Sequence, residues 1–137
     1  MTTALEHALL SVPVAQWRPR RTEALDWYDG PREGLCQLSW PDTEFYFTLL
    51  AERFNPEGLD DRLMAVHRLP PGGGEALLQA LALPDEPEGR REVERILASA
   101  EPTNLVVLTR DAETFLGCWR RPPGEPQGPS WFEVLGL

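Results

Sequence analysis

The chain has 137 residues, 42% of them hydrophobic, with a net charge of −9 and a pI near 4.7. That length suits one domain, no apolar run approaches the roughly 20 residues of a membrane helix, and the acidic surface repels nucleic acid and anionic membranes. All 13 basic residues are arginine, so Schiff-base chemistry and any other lysine nucleophile are excluded.

The absence of lysine, the single isoleucine (Ile96) and the two asparagines (Asn55 and Asn104) read as the coding bias of a high-GC bacterial genome. The N-terminal stretch carries Glu6 and no early basic residue, unlike a secretory signal. Cys36 and Cys118 are too few for a disulfide framework. Both points lead to the expectation of a cytoplasmic protein.

Thr3 caps a predicted short helix with Leu5, Ala8 and Leu9 on one face, and Pro13 ends it. Trp17 and the cluster Arg18, Arg20 and Arg21 form a link in which Pro19 blocks regular structure. The first predicted strand, 23–28, sets Leu25 and Trp27 opposite Asp26 and Tyr28. Asp29-Gly30-Pro31 turns the chain into a second strand, 34–40, with Cys36, Leu38 and Trp40 in phase and Gln37 and Ser39 opposite. After Pro41-Asp42 the longest strand, 43–54, alternates Phe45, Phe47, Leu49 and Ala51 with Glu44, Tyr46, Thr48, Leu50 and Glu52.

Asn55-Pro56-Glu57-Gly58 is a turn. The fourth strand, 62–69, is apolar in both phases, so its buried face is ambiguous. Gly72-Gly73-Gly74 leads into a short helix, 75–82, and an acidic loop precedes a stronger helix, 88–100, with Val93, Ile96, Leu97 and Ala100 on one stripe. Residues 104–109 read as a buried strand and 113–120 as its return. Pro122–Pro129 is a proline–glycine linker to an apolar tail around Trp131, Phe132, Val134 and Leu135.

The expected fold class is α+β: a single domain with a mainly antiparallel sheet of four to six strands and two to three helices packed on one face. Residues 1–21 form its N-terminal helix and arm, 22–121 its core, and 122–137 its linker and tail.

The chemistry-bearing residues form no catalytic signature. His67 is the only histidine away from the N-terminus, and Cys36, Cys118 and His67 have no metal-ligand spacing. Each cysteine falls in phase with apolar strand residues, as buried small hydrophobes do. The glycine triplet resembles a phosphate cradle in shape alone, because Glu75 stands where the anion would sit. Asp26, Asp29, Glu33 and Glu44 supply carboxylates for glycoside hydrolysis, with nothing to set their separation.

The phase opposite the aromatic core carries Asp26, Tyr28, Glu44, Tyr46 and Glu52, a tyrosine-and-carboxylate face suited to an arginine- or lysine-bearing partner. The expected function is that of a small acidic protein-binding protein of the immunity, inhibitor or accessory-subunit type, with no cofactor and no metal. Its partner is another protein with a basic surface, and the tail offers a route to self-association. A small hydrolase using carboxylates or a Cys/His site, and a module holding a small molecule in an aromatic cavity, are the alternatives. Reversing Glu44 and Glu52 to arginine is expected to weaken binding with stability held within about 1 kcal/mol.

Overall fold

The computed structural model describes residues 3–27, 31–111 and 113–137, with Trp27 described through its backbone alone. Six strands pair in chain order as one antiparallel meander: β1 (Arg18–Trp27), β2 (Pro31–Trp40), β3 (Thr43–Arg53), β4 (Asp61–Arg68), β5 (Glu101–Thr109) and β6 (Phe115–Arg120). Helix α1 (Ala4–Ser11) precedes them, the hairpin α2 (Gly73–Leu81) and α3 (Glu86–Ala98) joins β4 to β5, and α4 (Ser130–Val134) ends the chain. The fold is α+β, and no helix among the described residues is long and apolar enough to cross a membrane.

Local chemistry explains several element boundaries. Thr3 accepts the Glu6 N–H at 3.1 Å at the start of α1, and Asp85 accepts the Glu88 N–H at 3.2 Å at the start of α3. These are side-chain caps for donors that the first helical turn cannot satisfy internally. Strand β1 begins earlier than its sequence suggests, because Pro19 lies on the sheet's edge, where a missing N–H is tolerated. Its register is broken on both sides of Pro19 and again near Leu25.

Both faces of the sheet are covered, which resolves the two-phase apolarity of β4. On the first face Cys36, Leu38, Phe45, Phe47, Met64, Val66, Leu105 and Val107 pack beneath α1 and Trp17. Trp17, Phe45, Phe47 and Phe115 stack ring against ring, with centroids 5.6–6.4 Å apart. The aromatic cluster is therefore packed core, filled by its own rings.

On the second face Leu35 and Tyr46 meet Leu77 and Ala80 of α2 and Ile96 of α3. Beyond them Ala51, Leu63, Val106 and Leu108 receive Trp131 and Phe132 of α4. The α2–α3 hairpin and α4 thus share one face, as the sequence suggests for the helices generally, while α1 takes the other. The tail closes its own core.

Candidate functional site

The structure distributes the five expected contact residues over separate environments. Tyr28 lies outside the described residues. Glu52 is displaced by a bulge between Leu49 and Ala51, where β3 slips against β4. One extra residue reverses the two-residue alternation, so Ala51 turns to the second face with Leu63, and Glu52 turns to the first, opposite Arg62. There its carboxylate lies 3.3 Å from the Arg62 guanidinium, which is only 1% exposed. The expectation that Glu52 shares a face with Glu44 and Tyr46 is corrected by this bulge.

Asp26 and Tyr46 do come together, in a polar seam between the α2–α3 hairpin and α4. Asp26 is exposed and pairs in register with Glu33, which pairs in turn with Thr48. The Tyr46 hydroxyl donates to Glu33 Oε1 at 2.8 Å, and Thr48 Oγ1 lies 2.9 Å from His67 Nε2. The Tyr46 ring is 6% exposed, covered by the helical hairpin. That burial removes it from any partner surface. Leu35 and its neighbours on this face need an apolar cover, and Tyr46 sits under the same cover.

Burial raises the Tyr46 pKa, helped by its hydrogen bond to Glu33 and by the charges of Glu33 and Asp26. His67 is shifted down, first by burial and then by the nearby Arg121 guanidinium, against a smaller opposing effect of Glu33. A shallow hollow of about 220 Å³ lies alongside, lined by Asp26, Arg32, Glu33, Thr48 and Leu49.

A cysteine–histidine site is ruled out by the sheet itself. Cys36 and Cys118 face the first-face core beneath α1, while His67 faces Tyr46 on the other side, ring centroids 5.3 Å apart. Burial pushes each thiol up to about 12, far from a reactive thiolate. Among the described residues no group of His, Cys, Asp and Glu is arranged to hold a metal ion.

Glu44 has the most developed surroundings of the five. Helix α2 starts from Gly72, whose φ of 78° is one that glycine adopts readily and that brings no capping side chain. Glu44 reaches across from β3 to supply the cap. Its Oε1 accepts the Gly74 N–H at 3.3 Å, and its Oε2 accepts from Gln37 Nε2 at 3.0 Å. A Cβ on Gly74 would fall 2.6 Å from Glu44 Cδ. Of the glycine triplet, Gly74 alone gives its N–H to this carboxylate, while the Gly73 N–H donates to the Pro70 carbonyl, so the triplet contributes one donor of a side-chain cap supplied by the same chain.

That carboxylate also borders a cleft of about 560 Å³. Five separated segments build it: the start of α1, the β2–β3 turn, the link from β4 to α2, the end of α3, and the start of β5. Leu5, Leu69, Pro70 and Pro71 give it apolar walls. Its rim carries the carboxylates of Asp42, Glu44 and Glu101 against one guanidinium, Arg68, which is ion-paired with Glu101. Trp40, the last residue of β2 and two before Asp42, is 55% exposed.

Sequence reasoning placed Glu44 in a contact set but missed Asp42, Glu101 and the apolar walls. No local pattern joins residues so far apart in the chain. The nearest local signal is the glycine triplet, which reads as a cradle in shape alone because Glu75 follows it. No family model, curated protein or solved structure compared with this chain matches it.

Proposed function

We propose that the chain is a small acidic protein-binding protein of the immunity, inhibitor or accessory-subunit type, and that its partner docks on the acid-rimmed cleft. The observation that carries this reading is the cleft's combination of apolar walls with a rim of three carboxylates against one guanidinium; an exposed tryptophan, Trp40, stands two residues before Asp42 in the chain. Protein interfaces concentrate their energy in such places, where an aromatic anchor and an apolar centre are surrounded by polar groups. The excess of carboxylates selects a basic partner surface and speeds encounter with it. Asp26 of the seam and Glu52 on the opposite face lie apart from this cleft, so Glu44 is the member of the expected set on which the proposal rests.

The test is affinity capture from the source cell, comparing the natural chain with Asp42→Arg/Glu101→Arg. Both residues are exposed, so the variant stays within about 1 kcal/mol of the natural stability. It loses the partner that the natural chain retains, whereas Glu57→Arg/Glu125→Arg, of equal charge change, keeps it. Retention of the partner by the cleft variant overturns the assignment.

One observation favours a hydrolase as the second reading: Asp26 and Glu33 are register partners beside an open hollow, with the Tyr46 hydroxyl hydrogen-bonded to Glu33. Turnover of nitrophenyl glycosides or esters that vanishes in Glu33→Gln would establish that reading; no turnover by the natural chain dismisses it.

A further inference from the structure

We infer that α4 is an exchangeable strap, and that the groove it fills on the second face also takes the α4 of a second copy of this chain. The chemistry of the occupant is fixed by the fold, which seats Trp131 and Phe132, each 3% exposed, on Ala51, Leu63, Val106 and Leu108.

The strap is held through its side chains. The last backbone bond from the chain to the sheet is the Arg121 N–H donated to the Asn104 carbonyl at 2.8 Å. Among the described residues, the backbone hydrogen bonds of 122–137 stay within that segment, as from the Trp131 N–H to the Gly128 carbonyl and from the Leu137 N–H to the Phe132 carbonyl. Two guanidinium contacts flank the buried pair, Arg53 at 4.6 Å from the Phe132 ring centre and Arg121 at 5.5 Å from that of Trp131. Arg121 also lies 3.9 Å from Glu125, an exposed carboxylate, and such a pair is worth little in water. Lifting α4 therefore leaves the backbone ladder of the sheet intact.

An empty groove is costly. Leu63 and Val106 are fully buried and Leu108 nearly so where α4 packs on them, and uncovering them returns apolar surface to water. The groove therefore keeps an occupant, and the α4 of a second copy makes the same contacts as the chain's own. Which of the two is seated depends on the linker and on concentration.

Four of residues 122–129 are proline, which favours an extended linker. The closed form turns it at Gly124 and Gly128, whose φ values of 77° and 49° lie in the left-handed region. A Cβ on either glycine meets nothing within 4 Å, so alanine at both positions strains the turns without touching the groove.

The first experiment compares the sedimentation of the natural chain with that of Gly124→Ala/Gly128→Ala. The variant dimerises at a concentration lower by about tenfold or more, because the exchanged form can keep its linker extended and the closed form cannot. Adding Trp131→Ala/Phe132→Ala abolishes that dimer. A glycine variant as monomeric as the natural chain, or a dimer that survives loss of both aromatics, overturns the exchange.

The second experiment offers the occupant as a peptide of residues 127–137 to the ¹⁵N-labelled full chain carrying Trp131→Ala/Phe132→Ala. The peptide shifts the amides of Ala51, Leu63 and Leu108 and raises the urea midpoint. It binds the natural chain, whose groove is filled, about tenfold or more weakly. If the double-alanine chain does not fold alone, recovery of its fold by the peptide supports the same conclusion. No binding and no recovery, or equal binding to the natural chain, overturns the groove.

Discussion

Removing the Glu44 carboxylate tests the central structural point, that a strand residue caps a helix distant from it in the chain. Glu44→Ala takes the acceptor from the Gly74 N–H, a loss worth about 1 kcal/mol for a side-chain cap. It also removes a negative charge from a helix N-terminus, worth about 0.3–1 kcal/mol. Gln37, which is 5% exposed, is left with an unsatisfied amide donor, costing about 1–3 kcal/mol. Together these destabilise the fold by roughly 2–5 kcal/mol, read as a lower urea midpoint at unchanged slope. Glu44→Gln keeps an acceptor for Gly74 and costs about 1 kcal/mol.

The neighbouring glycine supplies an internal control. In the natural chain Gly74→Ala forces the Glu44 carboxylate away, since the new Cβ would lie 2.6 Å from its Cδ, and the lost cap offsets the gain in helix propensity. With Glu44→Ala already in place the three nearest atoms, all of that carboxylate, are gone, and Gly74→Ala then stabilises by up to about 1 kcal/mol. A Glu44→Ala protein within about 0.5 kcal/mol of the natural chain refutes the capping argument. So does a Gly74→Ala effect of the same sign and size in both backgrounds. The expectation that Glu44 can be reversed to arginine at little cost in stability is corrected on the same grounds.

Three further outcomes are expected. His67 titrates below the ordinary imidazole value of 6.5 because burial and Arg121 disfavour its charge; its contribution to stability is complete above that value and is lost as pH falls through the folded pKa, so pH-dependent urea unfolding of His67→Gln lacks that acid slope. Cys36, buried, and Cys118, half-buried, with thiols pushed up to about 12, react slowly with a thiol reagent at pH 8 in the folded chain and fast when urea unfolds it; a fast native-state reaction of Cys36 contradicts its burial. Gly34→Ala costs about 2–3 kcal/mol by thermal or urea unfolding, because its Cβ would overlap the Phe47 ring and lie 2.7 Å from the Glu23 carbonyl oxygen; a neutral result means the β1–β2–β3 register is wrong at that point.

The tyrosine-and-carboxylate face illustrates how a correct alternation leads to a mistaken surface. Tyr46 does point away from Phe45 and Phe47, as strict two-residue alternation requires. A face opposite one core is solvated only if nothing else covers it, and Leu35, Leu63, Val106 and Leu108 on the same face demanded cover. The ambiguity of β4 was the trace of that demand: a strand apolar in both phases belongs to a sheet buried on both sides.

The sequence by itself determined the meander and its helices. Alternation in β2 and β3, the turn residues between strands, and the Thr3 cap each act within a few residues, so each leaves a local pattern. Only the tertiary structure decided where the chemistry went. The bulge that carries Glu52 to the far face is a matter of how β3 slips against β4. The capping of α2 by Glu44 spans 30 residues, and the cleft joins five segments from Ala4 to Glu101. Pairing, capping across elements and concavity are relations between distant parts of the chain, and they exist only once the sheet has brought those parts together.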